Sequence, residues 1–354
     1  MNSVPDRYRF NGLYAIGTIF MILNIIVFLA NCICMTLRAV HWPKEFRKSF
    51  VTPGESIFIP ASVLSFATIL ITASQYGCRQ GKTGPWFLRT MIIFYWIYLV
   101  VAVCFSAGIY LMYWSRETFS LKSMTPQWIF PAYPLLLVGP YAGFIANPAI
   151  GTQDAMARDI IIGGVMAQGV GFMLSVMAYA SYLYRLMTQR LPPEAARPSM
   201  FISVGPSGFT VTALINMGQW LPQVIGPDFM GPGNGEFAGR VSQILANWAG
   251  IWLWGLALWF FITSVGAHYP VLIGNRFDIA PSFFALVFPN SALCTATFAV
   301  AQALDNNHVI AIAGCVMTIL LVAVWILVVA FIIRGFVRSK LLLPPPVADS
   351  DDSD

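Results

Sequence analysis

Charge is scarce in this 354-residue chain, at 10% of residues, and no Asp, Glu, Lys, Arg or His falls in the middle of an apolar stretch. A charge at mid-bilayer costs at least about 2.5–3.5 kcal/mol and, where it occurs, marks an ion or proton relay. An internal proton wire is therefore not expected. The three histidines, His41, His268 and His308, are too scattered to ligate one metal. No set of His, Asp, Cys and Ser converges with acid–base capacity, which argues against an enzyme. The six cysteines (Cys32, Cys34, Cys78, Cys104, Cys294 and Cys315) show no CxxC spacing and read as small apolar packers. With a net charge of only +5 and no dense basic run, nucleic acid is not an expected partner. No cofactor is implied.

What is abundant is apolar: 58% of the residues are hydrophobic, and the mean hydropathy is positive. A soluble core of this size would need far more polar surface around it. The composition predicts an all-α polytopic membrane protein. Nine stretches reach the roughly 20 residues needed to cross a bilayer: 13–36, 55–75, 87–113, 125–147, 159–184, 199–219, 240–266, 280–303 and 308–333. One transmembrane domain fills 13–337, between a short tail at 1–12 and an acidic tail at 338–354. A cleaved signal peptide does not explain the first stretch, because it is too long and eight more follow.

Proline is distributed unevenly among these spans. The second carries Pro60, the fourth Pro131, Pro134 and Pro140, the sixth Pro206 and the eighth Pro289; the other five carry none. Proline removes a backbone donor and clashes with the preceding turn, and hydrocarbon cannot satisfy the freed groups. Such breaks persist where they are buried in protein or face a watery cavity. The alternation predicts helical hairpins, each pairing a kinked inner helix with a straight outer one, with the kinked set around a central pore.

Neutral groups at broken helices can hold anions through backbone N–H groups, hydroxyls and the positive dipole end. The sixth span, SMFISVGPSGFTVTALINMG, offers Ser203, Gly205, Pro206, Ser207 and Thr210 as lining candidates, with Thr212 a further hydroxyl near the break; in the eighth, Ser291 and Thr295 lie beyond Pro289. The same residues would equally serve close helix packing. In the eighth span, Phe288 precedes Pro289 and Asn290, and an aromatic beside a wet constriction can close it by steric blocking and dewetting. Pro60, Pro134 and Pro140 are lining candidates on the other kinked spans. Glu55 and Arg197 stand at span entrances as vestibule candidates, or as a helix-start signal and a topology marker.

Four runs carry a family resemblance: MTPQWIFPAYPLLLVGPYAG (124–143), RLMTQRLPPEAARPSMFISVGPSGFT (185–210), ALVFPN (285–290) and CVMTILLVAVW (315–325). The chain resembles the fungal malic acid transporters of the tellurite-resistance/dicarboxylate transporter family. That family includes fungal sulfite efflux pumps and the plant slow anion channels. The resemblance implies ten helices in five hairpins, a pore lined by the kinked helices, trimeric association, and a gating phenylalanine at Phe288. It implies passage of small anions, in this branch malate and other C4 dicarboxylates, in the plasma membrane. Sulfite efflux is the nearest alternative; a polytopic biosynthetic enzyme, a receptor and a truncated inactive transporter are the others.

The family's first pore-lining helix has no counterpart here, since residues 1–12 are too short and too polar. The ring is therefore expected to hold four kinked helices. Short loops make the positive-inside rule applicable: 13 Lys and Arg fall on the face shared with the C-terminus and 7 on the other, placing the C-terminus in the cytoplasm.

Overall fold

A computed structural model describes residues 4, 8–10, 12–78, 83–116, 124–273 and 281–337. The acidic tail at 338–354 and most of the 1–12 tail lie outside the described residues, as do Arg7, Arg79, Lys82, Lys122, Arg276, Arg338 and Lys340 of the charge tally. Helices follow one another as α1 (Leu13–His41), the short α2 (Pro43–Val51) and α3 (Pro53–Ser56), α4 (Pro60–Gly77), α5 (Pro85–Arg116) and α6 (Tyr133–Ile145). Then come α7 (Asp154–Gln189), α8 (Val204–Val224), α9 (Gly235–Ile273), α10 (Phe288–Ala303) and α11 (His308–Val337). No strand occurs among the described residues. The protein is all-α and polytopic.

Eight helical segments among the described residues are long and apolar enough to cross a bilayer. The remaining apolar stretch, read as 55–75, forms α4, which starts at Pro60 and runs 18 residues, or about 27 Å. Its Ser, Thr and Gln content sets it apart from the other eight.

Inner and outer helices differ sharply. In the segment ending with α8, 83% of the apolar window is buried, and in the one ending with α6, 78%; in α1 and in α11 only 6% is. Pro60, Pro134, Pro206 and Pro289 are all buried. The spans with prolines in their apolar stretches form the interior, and α1, α5, α7, α9 and α11, whose only prolines (Pro85 and Pro270) lie near helix ends, form the wall.

The prolines act differently from mid-span kinks. Pro60 is the first residue of α4, Pro134 and Pro289 are second in α6 and α10, and Pro206 is third in α8. A first-turn proline is well tolerated, because its missing N–H would have had no intrahelical acceptor. Three of these helices are preceded by 3-10 pieces, Pro126–Ala132, Glu194–Ser203 and Pro281–Leu286, so each of these inner spans is a tight helix that relaxes into an α-helix at its proline. Pro131 lies inside the first 3-10 piece, and Pro140 alone of the lining candidates breaks an α-helix interior.

Packing pins these junctions. Pro206 cannot donate to the Ile202 carbonyl four residues back, and the Tyr133 hydroxyl donates to it at 2.5 Å. Tyr179 donates likewise to the Ser203 carbonyl at 2.7 Å, and Tyr98 to that of Pro134 at 2.7 Å. Without a hydrophobic drive between helices in lipid, close contact of small residues holds them together. Gly208 faces Ala292, so a Cβ added to the glycine would stand 2.8 Å from the Ala292 carbonyl carbon. Gly139 of α6 meets Ala213 of α8 in the same manner, at 2.6 Å. Contacts run α4–α6–α8–α10 in an arc. On the outer wall α1 and α11 meet through Phe20 and Trp325, whose rings lie 5.0 Å apart.

Candidate functional site

The arc encloses a cavity of about 640 Å³. Each inner helix contributes one face to it: Thr68, Thr72 and Gln75 from α4; Leu137, Pro140 and Phe144 from α6, with Asn147 just beyond; Phe209, Thr212, Asn216 and Gln219 from α8; Phe288, Ser291, Thr295 and Gln302 from α10. Among the described residues, no charged side chain lines it. The lining mixes hydroxyls, carboxamides and aromatics, which suits a small solute that is stabilised by hydrogen bonds rather than by a counter-ion.

One end of the cavity is aromatic. The Phe288 ring lies 5.3 Å from Phe209 and 5.9 Å from Tyr133, and Tyr133 lies 6.3 Å from Phe209. Tyr133 stacks on Phe130 at 5.3 Å, and Phe130 meets Phe58 at 6.0 Å. Five rings thus join the four inner spans below the cavity. Phe288 is half-buried at the floor, with Phe209 beside it. The far end opens where Gln219 and Gln302 meet, Gln302 Nε2 donating to Gln219 Oε1 at 2.9 Å.

Of the residues read from the sequence, Phe288 and Pro140 line this cavity, as do the hydroxyl residues Thr212, Ser291 and Thr295. Ser203, Gly205, Pro206, Ser207 and Thr210 are brought together at the start of α8, but buried in its packing against α6 and α7. Thr210 donates to the Pro206 carbonyl at 2.7 Å and accepts from Gln168 of α7 at 2.8 Å. Gly205 lies under the Tyr133 ring. Pro60, Pro134 and Pro289 are buried at their helix starts, away from the lining, and Asn290 turns back to donate to the Leu286 carbonyl at 2.7 Å. The physical reason is helical rotation: the break lies along the inner spans, but the hydroxyls around it point to more than one neighbour.

The two vestibule candidates sit apart from the cavity. Glu55 in α3 pairs with Arg38 at 3.2 Å, and both side chains are substantially exposed. Interaction with Ser49 holds its carboxyl below the ordinary glutamate range against the opposing effect of burial, and Arg38 and Lys48 lower it further. Arg197 donates to the carbonyls of Pro192 at 3.1 Å and Ala267 at 3.5 Å, tying the 3-10 piece before α8 to the end of α9.

The residues that the sequence reading passed over are Thr68, Thr72, Gln75, Phe209, Asn216, Gln219 and Gln302. Their signal was present as polar side chains at i, i+4 and i+7 within otherwise apolar spans, as in Thr68–Thr72–Gln75 and Thr212–Asn216–Gln219.

Comparison with known proteins agrees with this architecture. The family model described as "Voltage-dependent anion channel" matches residues 2–333. A "Malic acid transport protein" of Schizosaccharomyces pombe is 28% identical over 349 residues, covering 95% of this chain and 75% of the relative. A "Putative malic acid transport protein" of the same organism is 27% identical, covering 98% and 78%. A "Sulfite efflux pump" of Arthroderma otae is 25% identical over 327 residues, covering 91% and 83%.

Proposed function

The chain belongs to the voltage-dependent anion channel family, and from that premise we propose that this anion transporter carries malate and related C4 dicarboxylates through the cavity of the inner arc. The observation that carries the reading is a neutral, hydrogen-bonding cavity of about 640 Å³ at the centre of a membrane bundle, floored by Phe288. A cavity whose described lining carries no cation holds an anion weakly enough to release it, as conduction requires. The names of two relatives support malate as its cargo. Sulfite is the second reading, supported by the efflux pumps.

In this proposal the transport unit is residues 13–337, flanked by the tails 1–12 and 338–354, and the protein sits as a trimer in the plasma membrane. With the C-terminus in the cytoplasm, α10 runs outward, so the Gln302 end of the cavity opens outside and the Phe288 floor lies toward the cytoplasm. Among the described residues no buried carboxylate lines the route to relay protons, so in this proposal flux is channel-like, with Phe288 as the constriction. The protein performs no covalent chemistry.

The test is uptake of labelled malate into vesicles holding the purified chain, with membrane potential and pH gradient set independently. Flux that responds to potential, and that unlabelled malate suppresses better than sulfite, supports the reading. Preferential suppression by sulfite would replace malate as substrate. Flux that ignores voltage and strictly follows the proton gradient would overturn the channel mechanism.

A further inference from the structure

Between the first outer helix and the first inner one lies a short helix that transport itself does not use. α1 is uncharged from Leu13 to Leu37, about 25 residues or about 37 Å, which covers a hydrocarbon core of about 30 Å. Arg38 therefore reaches the membrane interface, and α2 begins just beyond it, after Trp42. Trp42 is 61% exposed, at the depth where tryptophan concentrates in membrane proteins.

α2, with the sequence PKEFRKSFV, is amphipathic. At about 100° per residue, Phe46 and Phe50 share one face, and Lys44, Arg47 and Lys48 fall within an arc of about 100° beside it. The two phenylalanine rings meet edge-on at 5.3 Å, with Phe50 exposed, and all three cations are exposed. Ser49 points the other way. It is buried, and its hydroxyl accepts from Arg38 Nη2 at 2.8 Å, so it ties α2 to the end of α1 and fixes its rotation. Glu45, the one acid of α2, falls on the Ser49 side of the helix. Arg38 also pairs with Glu55 at 3.2 Å, so those two charges offset one another.

A cationic arc next to an aromatic face is the pattern of a helix lying in the plane of the interface. A dissolved anion would use the cations and leave the phenylalanines idle. A bilayer offers phosphates and an apolar boundary at the same depth. We propose that α2 is a docking helix for anionic phospholipid, with Phe46 and Phe50 at the boundary of headgroups and acyl chains and Lys44, Arg47 and Lys48 on the headgroup phosphates. The leaflet is the one at the C-terminal end of α1, the cytoplasmic one in the orientation proposed above. Docking braces the link between outer α1 and inner α4, which supplies Thr68, Thr72 and Gln75 to the cavity.

The test is thermal unfolding of the purified full chain in detergent, titrated with dioctanoyl phosphatidylglycerol. A ligand of the folded state raises the melting temperature with its concentration and so yields an apparent affinity. Dioctanoyl phosphatidylcholine has the same chains without net charge, and glycerol 3-phosphate has the charge without chains. Phosphatidylglycerol should bind roughly a hundredfold more tightly than phosphatidylcholine, at about fivefold for each of three cations. Glycerol 3-phosphate should not shift the transition. In Lys44→Gln/Arg47→Gln/Lys48→Gln the two lipids should bind alike to within about twofold, while Lys44→Arg/Lys48→Arg should keep the wild-type preference. The melting temperature without lipid checks folding, and Arg47→Gln alone, expected to bind about fivefold more weakly, replaces the triple variant if that one does not fold. Equal affinity for both lipids in wild type would overturn the proposal, as would an undiminished preference in the folded neutral variant. A shift by glycerol 3-phosphate equal to that by the lipid would make this a site for dissolved anions instead. Binding seen only in a chain truncated after Lys340 would give the face to the acidic tail.

Discussion

The start of α8 and its second half are built from similar residues, Ser, Thr, Gly and small apolar side chains, yet they do opposite things. From Ser203 to Thr210 the polar groups are turned into neighbouring helices, where Tyr133 and Tyr179 supply donors to the carbonyls around the break. From Thr212 to Gln219 the polar groups face open space. In the first region the backbone carbonyls and Thr210 are tied to α6 and α7 while the Ser203 and Ser207 hydroxyls are buried; in the second the polar groups face the cavity. A polar residue in a membrane span thus reports function only after its neighbours are known.

The sharpest way to break this comparison is to overpack the rigid half. Gly208→Leu places side-chain atoms against the Ala292 backbone, and overpacking costs about 1–3 kcal/mol even where the contact is a side chain. Thermal unfolding in detergent should show the loss, together with loss of uptake; a near-wild-type melting temperature would mean that α8 and α10 are not tightly docked.

Opening the floor should leave the fold intact and change flux. Phe288→Ala and Phe209→Ala each remove a ring from the aromatic cluster and should raise basal anion flux by roughly tenfold, equivalent to about 1.4 kcal/mol of barrier. Vesicle efflux or patch-clamp current reads this directly. If neither variant leaks, the constriction is elsewhere.

Tyr133→Phe separates the structural role of that ring from its packing. It keeps the aromatic contacts and removes the donor to Ile202, and one such bond is worth about 1 kcal/mol. Stability should fall by that order, with flux changed less than in Phe288→Ala.

Smaller still is Glu55→Gln, which breaks an exposed pair worth at most about 1 kcal/mol. The carboxyl pKa is depressed in the folded chain, so its stabilisation is present above the unfolded value and disappears as pH falls through the folded one. The variant should therefore be slightly less stable than wild type at neutral pH and indistinguishable in acid, as unfolding against pH would reveal. Ile319→Ala, on the exposed face of α11, should move stability by no more than about 0.5 kcal/mol. A larger drop there would mean that the outer wall meets another protomer.

Much of the architecture was legible in the residues. The lack of charge in the spans and the alternating prolines identified a membrane bundle with an inside and an outside. The division holds because hydrocarbon tolerates an interrupted backbone only where protein covers it. The nature of the interruption was not legible: a proline in a first turn and a proline in a kink look alike in a string of letters, and only the preceding 3-10 pieces tell them apart. The second apolar stretch, 55–75, likewise looked like the other eight until its helix began at Pro60 and exposed a polar stripe to the cavity.

Composition and proline spacing by themselves determined that this chain crosses a membrane and which spans are buried, because both follow from the cost of polar groups in lipid. The rotation of each buried helix was decided only by tertiary structure. Thr210 and Thr212 are two residues, or about 200°, apart on α8, and the sequence treats them alike. The close approaches of Gly208 to Ala292 and of Gly139 to Ala213 set the angle at which α8 settles, turning Thr210 to Gln168 and Thr212 to the cavity. Those contacts depend on the shapes of residues far apart in the chain, which no local pattern encodes.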